Sequence, residues 1–263
     1  MKLKFCTLAS GSEANCSFVE IGGKKILVDA GLSFKGLVKA LEDRQIGPSE
    51  LDALLLTHEH TDHVKGLPLL LKKLELPVYC TRGTFEGLFK QALFERIPKE
   101  PFRMIQGGES FTMGDVIITP LPLSHDGAEP VAYRLDSQEA HCALVTDLGC
   151  PGDLAAALQG LDVLLLEANH DRRMLESGPY PYSLKLRIDG DKGHLSNLDA
   201  ARLLADLTHP GLQAVLLGHM SRTNNYPPLA LETVKAFLDS QAVAAVPRLM
   251  AAPAREPSEM IAF

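Results

Sequence analysis

Short apolar runs, bounded by glycine, proline or acidic residues, dominate the first half of the chain and predict β-strands. The first of these predicted strands are residues 3–8, 17–21, 25–29, 53–57 and 78–81. Apolar residues at helical spacing over 34–44 and 67–76 predict two helices among them. Five further runs separated by turn-length gaps predict a β-meander formed by residues 102–105, 109–113, 116–120, 131–135 and 142–146.

The second half of the chain alternates predicted helices with apolar strands. In chain order these are a helix at 154–159, a strand at 163–167, a helix at 197–207, a strand at 214–217 and a helix at 229–240. Residues 242–249 and 260–263 are predicted to add edge strands. Because helices follow each of two strand-rich blocks, we predict two sheets packed face to face with helices outside. No linker or internal repeat divides the chain, so residues 1–263 are expected to form a single domain.

Composition narrows the class of protein. A chain of 263 residues with 46% hydrophobic and 22% charged residues is typical of a globular protein with a large core. Its apolar stretches are far shorter than the ~20 residues of a membrane span, and Gly11 interrupts the apolar start, so we expect a cytoplasmic protein without membrane contact. With 26 basic and 33 acidic residues, the net charge of −7 excludes a global positive field, and any contact with nucleic acid must be local.

Four candidate metal ligands, His58, His60, Asp62 and His63, directly follow the predicted strand at 53–57. Imidazole and carboxylate groups are the ligands that zinc, manganese and iron accept. A structural zinc site usually has cysteine-rich ligands, and none of the five cysteines lies near this segment. The segment therefore favours a catalytic metal site over a structural one.

Other candidate ligands stand at the carboxyl ends of predicted strands, and they are Asp29, His125, Asp147 and His219. Taken singly, the aspartates could belong to turns and the histidines could be ordinary loop residues. Side chains at the ends of several strands can nevertheless converge at one edge of a sheet. We therefore predict that these residues meet the 58–63 segment in one cleft.

The ordered set Asp29, His58-x-His60-x-Asp62-His63, His125, Asp147 and His219 resembles the five motifs of the metallo-β-lactamase-fold hydrolases. The resemblance implies an α/β protein, a four-layer αββα sandwich, with a site for two divalent ions, namely zinc, manganese or iron. The implied ligands are His58, His60 and His125 for one ion, Asp62, His63 and His219 for the other, and Asp147 between them. The resemblance also places Asp62 and Asp29 in the catalytic machinery, Asp29 by orienting the ligand loop.

Three further segments are similar to a nuclease branch of this family. Residues 8–16 resemble the Ser-Gly-Ser-x-x-Asn-Cys turn of WalJ/YycJ-type proteins, which implies that Asn15 lies near the substrate. Glu167-Ala168-Asn169 and Gly193-His194-Leu195-Ser196-Asn197 resemble motifs of tRNA 3′-processing enzymes and of β-CASP nucleases. The WalJ/YycJ group is associated with 5′-to-3′ exonuclease action on double-stranded DNA, so the resemblance implies DNA as the substrate.

Glu167 and His194 are candidate catalytic residues. A histidine at a helix start can face a phosphate together with backbone N–H groups, and Glu167 could raise the pKa of its ring through a hydrogen bond. We expect His194 to protonate the leaving 3′ oxygen, with His170 and Ser196 near the substrate. The alternative is that Glu167 is a solvent-facing strand end and His194 a loop histidine.

The segment 171–192 carries five basic residues, two tyrosines and four acidic residues. Aromatic rings can stack on bases and guanidinium groups can contact phosphates, which favours a substrate lid. The nearly balanced charge is equally typical of a solvated, irregular loop. The 71 residues between Asp147 and His219, numbers 148 to 218, leave no room for a β-CASP insertion.

These observations support the hypothesis of a metal-dependent phosphodiesterase, a 5′-to-3′ DNA exonuclease in which a hydroxide between two ions attacks the phosphorus. Two alternatives stay open. The first is a thioester hydrolase of the glyoxalase II kind, which needs no Glu167 and His194 pair. The second is a non-catalytic regulator whose metal site only shapes a surface.

Overall fold

Two mixed β-sheets face each other in the computed structural model, which describes residues 2–263. The strands in chain order are β1 (Leu3–Gly11), β2 (Ala14–Ile21), β3 (Lys24–Val28), β4 (Ala53–Leu55), β5 (Val78–Thr81), β6 (Phe102–Ile105), β7 (Phe111–Met113), β8 (Val116–Pro122), β9 (Val131–Asp136), β10 (His141–Val145), β11 (Val163–Glu167), β12 (Ala214–Gly218), β13 (Arg248–Ala251) and β14 (Ile261–Ala262). The sheet orders are β14-β1-β2-β3-β4-β5-β6 and β13-β12-β11-β10-β9-β8-β7. Strands β3 to β6 are parallel, as are β10 to β13.

Helices flank the two sheets, and several of them pack on the outer faces. In chain order they are α1 (Phe34–Glu42), α2 (Thr61–Val64), α3 (Leu67–Lys73), α4 (Arg82–Phe89), α5 (Leu154–Ala157), α6 (Arg172–Ser177), α7 (Tyr182–Ile188), α8 (Asn197–Leu207) and α9 (Pro227–Ser240). Side chains of β11 alternate between faces: Leu164 and Leu166 pack with α8 and α9, while Val163 and Leu165 pack between the sheets. The order helix, sheet, sheet, helix confirms the predicted αββα sandwich.

One predicted strand lies in the other sheet. β6 pairs in parallel with β5, so the antiparallel meander consists of β7 to β10, and the five-strand prediction is wrong. The physical reason is aromatic packing, because the ring of Phe102 lies 5.2 Å from that of Phe85 and 5.8 Å from that of Phe89 in α4. Burial of this aromatic group holds β6 on the first sheet.

Two other regions differ from the sequence expectation. The segment 171–192 contains α6 and α7, so it is not irregular, and α4 was not predicted. At the C-terminal edge, β13 begins at Arg248, near the end of the predicted 242–249 strand. Among the described helices, none combines the length and apolar character that a membrane span requires.

Candidate metal centre

The candidate ligands lie where strands of both sheets end. Asp29 directly follows β3, His219 directly follows β12, and Asp147 lies two residues after β10. Their backbones are left-handed, with φ of 64°, 52° and 58° respectively. This conformation costs a non-glycine residue about 1–3 kcal/mol and is concentrated at functional sites. It turns the chain sharply at each strand end and places these side chains at one edge of the sandwich.

Two glycines permit close backbone approach at this edge, and each stands two residues after an aspartate of the site. A Cβ at Gly31 would lie 1.8 Å from the carbonyl oxygen of Asp62, and a Cβ at Gly149 would lie 2.2 Å from that of Asp191. A side chain at either position would force these segments apart. The glycines therefore allow distant loops to pack directly against the strand ends.

The first ligand cluster consists of His58, His60 and His125, whose ring nitrogens lie within 4.8 Å of one another. His60 Nδ1 is 3.3 Å from His125 Nε2. Burial, followed by the charge of His63, holds the pKa of His58 well below its ordinary value, so this ring is neutral. Imidazole nitrogens bind divalent metals, and those of three rings lie close to one position here.

Asp62, His63 and His219 form the second cluster, and their ligand atoms also lie within 4.8 Å of one another. Asp62 and His63 share one turn because α2 begins at Thr61. Asp62 Oδ2 is 3.4 Å from His63 Nε2 and 3.6 Å from His219 Nε2. Two imidazole nitrogens and one carboxylate oxygen therefore meet at a second position.

Asp147 lies between the two clusters. Its Oδ2 is 3.0 Å from His63 Nε2, and its Oδ1 is 3.6 Å from His125 Nε2 and 3.5 Å from His219 Nε2. Burial would raise the pKa of Asp147, but the charges of His219 and His63 outweigh burial and lower it well below its usual value. The ionised carboxylate is within reach of both clusters, as a ligand shared by two ions must be.

Three buried polar atoms of this site have no hydrogen-bond partner among the described residues, namely His58 Nε2, Asp147 Oδ2 and His219 Nε2. Leaving such an atom unpaired costs about 1–3 kcal/mol, so buried polar groups are normally satisfied. Imidazole nitrogens and carboxylate oxygens are the donors that zinc, manganese and iron accept. The residues therefore fit divalent metal ions.

Asp29 supports the histidine-rich segment through its carboxylate. Oδ1 accepts a hydrogen bond from the Thr57 N–H at 2.9 Å, and Oδ2 accepts one from His63 Nδ1 at 2.8 Å. Because Nδ1 of His63 is held by Asp29, Nε2 is the nitrogen that lies toward Asp147 and that would bind a metal ion. Asp29 thus fixes the tautomer of a candidate ligand without contacting the metal position.

Glu167 plays the corresponding role for the second sheet. It is fully buried, and its Oε1 accepts hydrogen bonds from His194 Nδ1 at 2.9 Å and from His219 Nδ1 at 2.7 Å. Its Oε2 accepts from the backbone N–H groups of Leu148 at 2.8 Å and Leu195 at 3.2 Å. Burial would raise the pKa of Glu167, but His194 and His219 outweigh burial and lower it to about 2.

His194 lines the cleft above the clusters. Its Nδ1 is 3.7 Å from Asp147 Oδ1, and its side chain is 21% exposed. Burial would lower the pKa of His194, but the carboxylates of Glu167 and Asp147 outweigh burial and raise it. Because Nδ1 donates to Glu167, Nε2 is the nitrogen available to a substrate.

Three residues expected near the substrate are buried outside the cleft lining, and they are Asn15, His170 and Ser196. The amide of Asn15 donates to Asp62 Oδ2 at 3.0 Å and so positions a candidate ligand. His170 Nε2 lies 3.3 Å from Asp189, and Ser196 caps the N-terminus of α8. The structure therefore does not place any of these three side chains in the cleft lining.

The cleft has a volume of about 200 Å³. Asp126 and Arg187 also line it, and the sequence did not predict that these two residues form an ion pair. Asp126 Oδ1 lies 3.3 Å from His125 Nε2 and 3.6 Å from His60 Nε2. Arg187 of α7 forms an ion pair with Asp126, with 2.6 Å between Nη2 and Oδ2. The position of Asp126 next to His125 is the sequence signal that could have identified it. The ion pair fastens α7 to the metal centre.

Replacing Glu167 with glutamine is expected to weaken metal binding about 10- to 100-fold, the usual effect of removing a group that orients a ligand. Both carboxylate oxygens of Glu167 accept hydrogen bonds from N–H groups. Whichever way the amide of glutamine is turned, its NH₂ group would therefore face N–H donors instead of acceptors. The mismatch at a buried site should also lower the free energy of unfolding by about 1–3 kcal/mol. Chelator competition and thermal unfolding measure the two effects.

The matched control is Glu20→Gln. The carboxylate of Glu20, in β2, pairs with Lys4 in β1 at 2.9 Å, and both side chains are partly exposed. A partly exposed pair of this kind contributes at most about 1 kcal/mol, so metal affinity should be unchanged. Equal metal affinities for Glu167→Gln and the unmodified protein would show that Glu167 does not orient His219.

Comparison with known proteins places this site in a family. The sequence model of a protein family described as "Beta-lactamase superfamily domain" matches residues 24–220 of this chain. Exodeoxyribonuclease YycJ of Bacillus anthracis is 37% identical over 242 residues, covering 92% of this chain and 91% of that protein. Exodeoxyribonuclease WalJ of Streptococcus pneumoniae serotype 2 is 36% identical over 232 residues, covering 88% of this chain and 86% of that protein.

Solved structures share the architecture. The metallo-β-lactamase fold protein YhfI from Bacillus subtilis matches with a TM-score of 0.72 and 18% identity, covering 98% of this chain and 99% of that one. At this identity the similarity establishes the fold. The sequence relatives carry the more specific information, because they match over nearly their whole length.

Proposed function

Because this chain belongs to the beta-lactamase superfamily and, within it, to the family of the exodeoxyribonucleases YycJ and WalJ, we propose that it is a metal-dependent exonuclease that hydrolyses DNA. The nuclease names of its relatives and the clustered imidazole and carboxylate ligands support a metal-dependent hydrolase. The proposal includes two bound divalent ions, namely zinc, manganese or iron, and cleavage in the 5′-to-3′ direction.

The observation that carries this proposal is the hydrogen-bonded link between His194, Glu167 and His219. Glu167 Oε1 holds both rings, so His194 is fixed beside the metal centre. Phosphodiester hydrolysis requires charge stabilisation at the phosphate and a proton for the leaving oxygen. A leaving thiolate needs no such proton, so the link favours phosphodiesters over thioesters.

Each group of residues has a different proposed role in phosphodiester hydrolysis. The ligands proposed to hold the ions are His58, His60, Asp62, His63, His125, Asp147 and His219. Divalent ions bound there would lower the pKa of water toward ~7 and offset the negative charge of the phosphate. Asp29 and Glu167 keep Nδ1 of their histidines protonated, so that Nε2 faces the centre. His194 Nε2 would donate a proton to the leaving 3′ oxygen.

Two arginines close in the fold to residues that line the cleft support a polynucleotide substrate despite the net charge of −7. Arg222 and Arg255 are 52% and 62% exposed, and both contact the carboxylate of Glu13, at 2.5 Å and 2.6 Å. Glu13 is adjacent to Ser12, which lines the cleft. Exposed guanidinium groups bind phosphates well, so a backbone leaving the metal centre would meet cations here.

Cleavage of end-labelled nucleic acids tests the proposal. Single- and double-stranded DNA and RNA, labelled at either end, are incubated with Zn²⁺, Mn²⁺ or chelator. We expect short labelled products first from 5′-labelled duplex DNA, and no cleavage in chelator. Cleavage that continues in chelator would contradict the metal mechanism, and earlier release of a 3′ label would contradict the direction.

The same protein preparation distinguishes the two alternatives. Hydrolysis of a thioester without cleavage of bis(p-nitrophenyl) phosphate would indicate a thioester hydrolase. Metal-loaded protein that cleaves neither compound nor any nucleic acid would indicate a non-catalytic metal-binding protein.

A further inference from the structure

A second cavity adjoins the cleft of the metal centre, and the proposed function does not use it. Its volume is about 210 Å³, and it is continuous with the cleft, because both spaces are lined by His125, Asp126, Tyr180, Arg187, Ile188 and His194. Leu184, Lys192 and Gly193 line this cavity and not the cleft. The opposite wall comes from the segment that contains α7. The wall residues that matter here are Tyr180, Leu184, Arg187, Ile188 and Lys192.

One side of this cavity is an apolar helical face without a protein partner. Tyr180, Leu184 and Ile188 are spaced four residues apart, so they lie on the same side of α7 and the turn before it. All three are half-buried, yet within residues 2–263 none belongs to a hydrophobic cluster, and α7 has no buried residue. An apolar helical face normally packs against the core. Here it faces a cavity, which suits a ligand with a flat apolar surface.

Two cations stand beside this apolar face. Arg187 uses Nε and Nη2 on a single oxygen of Asp126, at 2.7 Å and 2.6 Å. A guanidinium has five N–H donors, so the Asp126 pair leaves donors free for a further anion. Lys192 is exposed and lines the same cavity. The carboxylate of Asp126 also lines the cavity and offsets part of the charge of Arg187, so Lys192 supplies the second cation. An apolar wall beside these groups is complementary to a nucleotide, which joins a flat base to a phosphate.

We propose that this cavity binds the terminal nucleotide of the strand being cleaved, with its base against Tyr180 and its phosphate at Arg187 and Lys192. The inference rests on the proposed function, because that function places the scissile bond in the adjoining cleft. His125 and His194 form a wall common to both spaces, so a nucleotide in the cavity is adjacent to the bond that breaks. The proposal therefore predicts that the product is a mononucleotide.

Calorimetric binding to the metal-loaded protein tests this site, using dAMP and 2-deoxyribose 5-phosphate as probes. Neither compound contains a phosphodiester bond, so binding is measured without cleavage. We expect dAMP to bind more tightly than the sugar phosphate because its base stacks on Tyr180. Tyr180→Ala should weaken dAMP binding about tenfold, the effect of one lost stacking contact, and remove the preference for dAMP. Tyr180→Phe keeps the ring and should keep the preference.

The matched control is Tyr182→Ala, since Tyr182 is 75% exposed and does not line the cavity. It should bind both compounds as the unmodified protein does. Lys192→Ala should weaken both compounds together, because both carry the phosphate. Thermal unfolding of each variant shows whether the fold is retained.

Equal binding of dAMP and the sugar phosphate to the unmodified protein would overturn the inference. So would a dAMP preference that survives in Tyr180→Ala. If the protein gives either of these results but still cleaves DNA, the nuclease proposal stands and only the proposed nucleotide site is rejected. Tyr180-dependent dAMP binding without cleavage of any nucleic acid would show a nucleotide site but would reject the nuclease proposal, and with it the assignment of the site to a strand being cleaved.

Discussion

Replacing Asp147 with asparagine is expected to lower kcat on duplex DNA about 10³-fold, because bound metal contributes several kcal/mol to transition-state stabilisation and 1.36 kcal/mol is about tenfold in rate. Asp147 is within 3.0–3.6 Å of ring nitrogens of both clusters. Asparagine has nearly the same shape and tolerates the left-handed backbone at φ 58°, so the fold should persist. The variant loses the negative charge and one oxygen ligand, and its metal content should fall.

Metal analysis and steady-state kinetics check this prediction. Asp153→Asn is the matched control, because Asp153 is an exposed aspartate in the loop that follows Asp147. It should keep both the metal content and kcat of the unmodified protein. An Asp147→Asn protein with full metal content and undiminished kcat would show that Asp147 is not a shared ligand.

The fold and the convergence of the candidate ligands were predictable because both depend on where strands end. Largely apolar strands followed by histidine or aspartate can be identified within a few residues of sequence, as at Asp147 and His219. Parallel strands in neighbouring positions end at one edge, so residues far apart in the chain meet there. The left-handed backbone at these residues adds a sharp turn that the sequence pattern alone does not reveal.

Helix α7 and its cavity could not be predicted in the same way. Helices this short are marginal in isolation and depend on tertiary contacts. The Arg187–Asp126 pair that fastens α7 joins residues 61 positions apart in the chain. The spacing of Tyr180, Leu184 and Ile188 was present in the sequence, but nearly balanced charges around it indicated a solvated loop equally well.

Two further differences between the sequence predictions and the structure also arise from long-range contacts. A local pattern predicts that residues 102–105 form a strand, but pairing with β5 decides the sheet to which it belongs. His170 follows the Glu167 motif closely, which suggested contact with substrate. A backbone bridge between His170 and Ser196 instead accompanies burial of both side chains.

Replacing His194 with alanine is expected to lower kcat on DNA about 10²- to 10⁴-fold, the usual contribution of a general acid, while the metal content stays unchanged. The ring of His219 keeps its own hydrogen bond to Glu167 at 2.7 Å, so the proposed ligand set is intact in this variant. The loss should be much smaller with bis(p-nitrophenyl) phosphate. Its nitrophenolate leaving group is a far weaker base than the 3′ alkoxide of DNA and hardly needs protonation.

His141→Ala is the matched control, because His141 also pairs with a carboxylate, Asp136 at 2.8 Å, but at the opposite end of β10 from Asp147. It should cleave both substrates at the unmodified rate. Equal losses on DNA and on the nitrophenyl ester would assign His194 to phosphate binding rather than proton donation. A fall in metal content would make His194 a ligand, since its nitrogen lies within 4.8 Å of the oxygens of Asp147 and Glu167. The ratio of the two rate losses thus decides whether the Glu167-held ring acts on the leaving group.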